Sequence, residues 1–204
     1  MPTVPVLRFA PALPVNLAGV IYAQVQCLID YGLPQQLHVV EDKFKDAAMT
    51  LAADFTYSVE LAGIGLDRVW LVPYGVSDRY LAEAGGVNLR VDPDKFSLFE
   101  GVVVPDGLCV VQGQLGQKHK NRGPCDVQTN YDTRERLGVP TEGLTALLYW
   151  GGDMLQQYFM YFPGANSERG FIPFLSLLDG KPVLDDLCSY NYPGCAFGSV
   201  SCGS

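Results

Sequence analysis

Residues 171–184 read FIPFLSLLDGKPVL. Two apolar runs, 171–178 and 182–184, flank Asp179-Gly180, a dipeptide suited to the positive φ angles of a two-residue hairpin turn. An antiparallel hairpin is therefore predicted near the C-terminus. Just before it, residues 158–162 read YFMYF. Tyr158, Met160 and Phe162 fall on one side of such a strand and Phe159 and Tyr161 on the other, so it must be covered on both faces. Pro163-Gly164 supplies its turn, and residues 196–202 add a last short strand.

Earlier in the chain, Val69 to Pro73 (VWLVP) and residues 108–111 (LCVV) are short runs rich in β-formers, hence strands. Between them Ser77 can cap a helix through Ala84 that Gly85-Gly86 ends. Asp92-Pro93 pairs a capping side chain with a proline suited to the first helical position, opening a short turn over 94–98. Thr141 is a candidate N-cap for a helix with Leu144, Leu147 and Leu148 on its apolar face, broken by Gly151-Gly152.

The N-terminal third carries a different period. Residues 15–31 read as a helix, with Asn16 as N-cap, Gly32 past the end and Pro34 beyond it. In the next helix Val40, Phe44, Ala48, Leu51, Phe55 and Val59 recur at three- and four-residue steps, opposite a charged face, until Gly63. The expected fold class is α+β: two N-terminal helices packed on a small mixed or antiparallel sheet with a C-terminal β-hairpin. The organisation expected is a single domain over 1–204, with a helical part at 1–65 and an α+β core at 66–204.

The chain has 204 residues, 48% hydrophobic and 18% charged, a globular mix. A chain this long hides about 70% of its surface on folding, so its core needs neither disulfide nor metal. Fourteen Lys and Arg against 22 Asp and Glu give a net charge of −8. Such a surface repels phosphate backbones and anionic lipid, so neither nucleic acid nor a membrane is an expected partner. The uncharged N-terminal run is interrupted by Pro11, Pro14, Asn16, Gln24 and Gln26, too polar to span a bilayer. Six cysteines are far too few for a disulfide scaffold, and a cytoplasmic location is expected.

Cys188, Cys195 and Cys202, with Cys125 or His119 as a fourth group, lack the close Cys pairs that one turn aims at zinc. No metal and no cofactor is expected. Cys202 as nucleophile with His119 as base is the catalytic candidate, because thiolate chemistry needs a base or a positive setting. His119 lies in Lys118-His-Lys-Asn-Arg122, a concentrated basic patch, and Lys118, Lys120 and Arg122 are the candidate contacts for a small anion. The preceding Gly113-Gln-Leu-Gly116-Gln-Lys118 lacks the spacing and the hydroxyl residue of a phosphate loop. The acid pairs Asp92/Asp94 and Asp185/Asp186 are explained by capping and solubility. Aromatic residues crowd into 149–197, enough for a core and for a protein-partner or homo-oligomer surface.

Several stretches in order, namely VWLVP at Val69–Pro73, DKFSLFEGV from Asp94, PTEGLTAL from Pro140, YFPG from Tyr161 and FGSVSCG from Phe197, together resemble a bacterial family of uncharacterised proteins over roughly 69–204. The resemblance implies a compact bacterial domain. That family has no assigned activity, so no site residue follows from it, and the segment 113–131 does not align with it.

The favoured functional expectation is a non-catalytic soluble binding or accessory domain recognising a protein or small anionic ligand. The alternative is a thiol-dependent enzyme using Cys202 and His119, and the question of enzyme or not stays open at this point.

Overall fold

The computed structural model describes residues 17–54, 69–98, 104, 106–114, 138–156, 159–162, 164–187 and 197–202. Three helices lead: α1 (Leu17–Asp30), the single turn α2 (Leu33–Gln36) and α3 (Glu41–Asp54). Helices α1 and α3 pack on each other, and Lys45 of α3 stands over the Tyr22 ring of α1 at 5.2 Å. Gly32, at φ 76°, turns the chain out of α1, and Pro34 follows it in the first turn of α2. Phe44 and Ala48 face the core as the periodicity requires. Val40 does not belong to the stripe: it precedes α3 and is 65% exposed. Asn16, Phe55, Val59 and Gly63 lie outside the described residues.

A seven-stranded mixed sheet follows, in the order β1-β4-β9-β5-β7-β8-β2. Its members are β1 (Val69–Pro73), β2 (Asn88–Leu89), β4 (Leu108–Gln114), β5 (Phe159–Tyr161), β7 (Ile172–Leu178), β8 (Lys181–Leu187) and β9 (Phe197–Cys202). β3 (Ser97–Leu98) and β6 (Ala165–Asn166) make a separate two-stranded ribbon. The hairpin β7–β8 closes at the pair Leu178↔Lys181, with Asp179 at φ 52° and Gly180 at φ 75°, both in the left-handed region that this turn demands. β5 sits inside the sheet, and Met160 and Tyr161, pointing to opposite faces, are both buried. The tail strand β9 is central: antiparallel to β4 and parallel to β5, it joins two halves of the sheet.

Two further helices fix the layers. α4 (Asp78–Ala84) starts where Ser77 Oγ accepts the Tyr80 N–H at 3.2 Å and stops at Gly85-Gly86. α5 (Pro140–Trp150) carries the expected apolar face, but all its side chains from Glu142 onward are buried, because it lies against both sheet and helices. Its N-cap is Val139, not Thr141: Pro140 takes the first helical position, which its fixed φ suits, and this sets the helix start two residues earlier. The 3₁₀ turn Pro93–Lys95 is shorter than expected, and its N-cap is Asp92, whose side chain accepts the Asp94 N–H.

One continuous core runs through α1, α3, β1, α4, α5, β5, β7 and β8. One buried polar arrangement lies at the sheet edge. The backbone of Leu71 in β1 points away from β4, where its N–H donates to Gln24 Oε1 at 2.7 Å and its carbonyl accepts from Tyr149 Oη at 2.6 Å. Side chains of α1 and α5 thus satisfy an edge that would otherwise be open to another strand. Trp70 and Trp150 meet edge to face at 5.4 Å behind it. Among the described residues, no helix is long and apolar enough to cross a membrane.

Candidate functional site

The starts of α4 and α5 lie side by side, and a cleft of about 330 Å³ opens beside them. Ligand sites of small molecules begin at about this size. β1 ends at Pro73, and Tyr74 N–H continues the ladder to Gly107 O at 2.7 Å. Gly75 (φ 89°) and Gly107 (φ 82°) then turn the two chains apart, which leaves room for the cleft between them. Tyr74, Asp78, Asp106 and Thr141 supply its polar groups. Phe96, Leu98, Val104, Val139, Pro140 and Ala165 supply its apolar walls, with Leu98 and Ala165 paired across the β3–β6 ribbon.

Asp78 is the first residue of α4, and its Oδ1 accepts the Thr141 hydroxyl at 2.7 Å. Thr141 is therefore a bridge between two helix starts rather than a cap. Thr145 Oγ1 in turn donates to Thr141 O at 2.7 Å. Burial pushes the Asp78 carboxyl up to about 6; the Thr141 hydrogen bond opposes this, and the negative charge of Asp94 adds to it. The neighbouring Arg79 gives Asp78 no relief, because it binds Asp92 at 2.6 Å and Asp94 at 2.8 Å. Among the described residues no cation lies within ion-pair reach of Asp78 or Asp106.

Behind the cleft wall, Tyr74 Oη donates to Glu142 Oε1 at 2.8 Å, and Glu142 is wholly buried. The carbonyl of the same residue accepts the Trp70 indole N–H at 3.1 Å. These bonds hold the Tyr74 ring against α5 and make that wall rigid. A smaller hollow of about 160 Å³ lies among Arg90, Lys95, Glu168, Arg169 and Asp186. Its charges largely answer one another, with Arg90 on Asp185 at 3.4 Å and Lys95 on Glu168 at 3.3 Å. Asp185 and Asp186 belong to β8, opposite Phe174 and Pro173, not to the hairpin turn. Asp186 Oδ2 is enclosed instead of solvated.

The residues singled out from the sequence are not those that line the cleft. Lys118, His119, Lys120 and Arg122 lie outside the described residues, as do Cys125, Cys188 and Cys195. The backbone of Cys202 stands opposite Val111, in register with Trp70 one strand further. The chain leaves β4 toward His119 at Gln114, opposite Ser199, about 10 Å along the strands from Cys202 at the usual rise per residue. Of the described thiols, Cys27 donates to Leu148 O at 3.4 Å, and burial, with Asp30 nearby, pushes its pKa up to about 12. That is the reverse of an activated thiolate. No group of three metal-ligating side chains occurs among the described residues.

Sequence reasoning passed over Asp78, Asp106, Tyr74 and Glu142. One signal was present for Glu142, a carboxylate inside an otherwise uncharged helical run, PTEGLTALLYW. None marked Asp78, which reads as an ordinary acidic residue in a first helical turn. Compared with protein-family models, with curated proteins and with solved structures, the chain matches none of them.

Proposed function

We propose that the protein is a cytoplasmic binding or accessory domain, without catalysis of its own, that takes its ligand into the cleft beside Asp78. One observation carries this reading: a partly buried carboxylate faces a cleft with apolar walls and has no counter-ion among the described residues. Convergent polar groups on an apolar concavity are the usual make-up of a binding site. The protonated, hydrogen-bonded thiol of Cys27 adds support, since it removes one nucleophile from the core. This cleft suits a different ligand from the anion expected of Lys118, Lys120 and Arg122, because its acidic groups repel negative charge.

The test is an amide-shift survey of ¹⁵N-labelled protein with aromatic cations, neutral amides and carboxylates at millimolar concentration. At least one class is expected to move the amides of Gly75, Asp78, Gly107 and Thr141 together. Shifts confined to other surfaces, or none with any class, refute the assignment of the cleft.

A further inference from the structure

We infer that the cleft selects a small molecule with one cationic head, an amidinium or ammonium, carried on a flat apolar body, and that Asp78 is the counter-ion of that head. The inference rests on the binding reading above and adds the ligand's chemistry to it. Three features of the site converge on that class.

The first is charge. Asp78 and Asp106 both line the cleft, and no Lys, Arg or His among the described residues does so. The second is geometry. Thr141 holds Oδ1 of Asp78 and fixes the carboxylate plane, so the direction in which its other oxygen can accept is set before a ligand arrives. A preset carboxylate beside apolar walls binds a cation more strongly than one free in water, since the low-polarity surroundings screen it less. The third is unfinished apolar burial. Phe96 and Val104 are only half-buried, and Leu98 is 48% exposed at the mouth. A hydrophilic cation alone would leave that surface wet, whereas a flat apolar body would cover it.

Benzamidine and benzamide share shape and size and differ in charge, so they separate the two requirements. Titrated into the native chain at pH 7.5 and low salt, with amide shifts as the readout, benzamidine is expected to bind at least tenfold tighter. The ratio should fall several-fold between 0.02 and 0.5 M NaCl, because screening weakens only the charged contact. In Asp78→Asn, which keeps an oxygen for Thr141, the ratio should drop to within twofold of one. The salt series on the unmodified chain serves as the test if that variant does not fold.

Equal binding of the two probes at the cleft overturns the cation preference and leaves the binding reading standing. An undiminished ratio in Asp78→Asn, or one indifferent to salt, overturns Asp78 as the counter-ion. If neither probe moves the cleft amides, this inference falls, and the binding reading falls with it when the carboxylates of the wider survey leave those amides unmoved as well.

Discussion

Replacing Asp78 by Asn should make the protein more stable at neutral pH, against the usual direction of a change at a hydrogen-bonded buried position. Burial raises the Asp78 carboxyl from an ordinary 3.8 to about 6, with Asp94 contributing and Thr141 opposing. The unfolded chain therefore releases this proton near pH 4, while the folded chain keeps it until about pH 6. Between those limits the folded state binds more protons, so stability falls as pH rises through that window and is level above it. At about 1.36 kcal/mol per pKa unit the full loss is roughly 3 kcal/mol. Roughly 2 kcal/mol of it falls between pH 4 and 7.5, because the unfolded carboxyl is already half ionised at the lower limit. Asn retains an acceptor for the Thr141 hydroxyl and does not titrate. Losing a negative charge at a helix start costs the variant only about 0.3–1 kcal/mol. Urea denaturation followed by the fluorescence of buried Trp70 and Trp150 measures both proteins from pH 4 to 8. The groups around Asp78, namely Asp94, Asp106 and Tyr74, are common to both and largely cancel in the difference. The variant should gain steadily on the wild type from pH 4 to about 6.5. Two parallel stability curves, or a gap that widens toward acid, would falsify the raised carboxyl.

Three other outcomes are expected. Tyr149→Phe removes the hydroxyl that satisfies the Leu71 carbonyl and should cost about 1–3 kcal/mol in the same urea assay, the penalty of an orphaned buried acceptor; a loss under 0.3 kcal/mol would show that the edge bond contributes little. Gly143→Ala should destabilise by about 1–3 kcal/mol although alanine favours helices, because the new Cβ overlaps the ring of fully buried Phe162; a raised midpoint would mean that the ring moves freely. Cys27 should resist alkylation at pH 8 until the protein unfolds, as a buried thiol with pKa near 12 requires. Peptide mapping that finds Cys27 among the quickly labelled thiols contradicts this.

The hairpin at Asp179-Gly180 and the helix behind Ser77 were legible because both are set by neighbours in sequence: two residues that tolerate positive φ, and one hydroxyl reaching an amide three residues on. The both-sided burial of residues 160–162 could be read as well, since apolar side chains alternating without a polar face leave no alternative. Local rules misplaced Thr141, where the fixed φ of Pro140 won over the capping preference of a hydroxyl. They misplaced Val40, whose spacing in sequence fits the stripe but which precedes the helix by one residue and is exposed. What no local rule carries is pairing across the chain. Gln24 looked like an intrusion in an apolar helix, and its task, to hold the Leu71 amide, exists only once α1 lies along β1. The cleft is of the same kind: Asp78 and Thr141 are 63 residues apart and become partners only through the packing of α4 on α5.

The placement of β9 governs the order in which this molecule can be completed on the ribosome. β1 and β4 can pair early, and β5, β7, β8 and β2 form a second set, but only β9 bonds to both groups. Until residues 197–202 emerge, β4 and β5 each present a bare strand edge, the kind of edge that recruits other nascent chains. Completion of the sheet thus waits for the strand that comes last in chain order among those described, and the interval before it is when the chain most needs shielding from its neighbours.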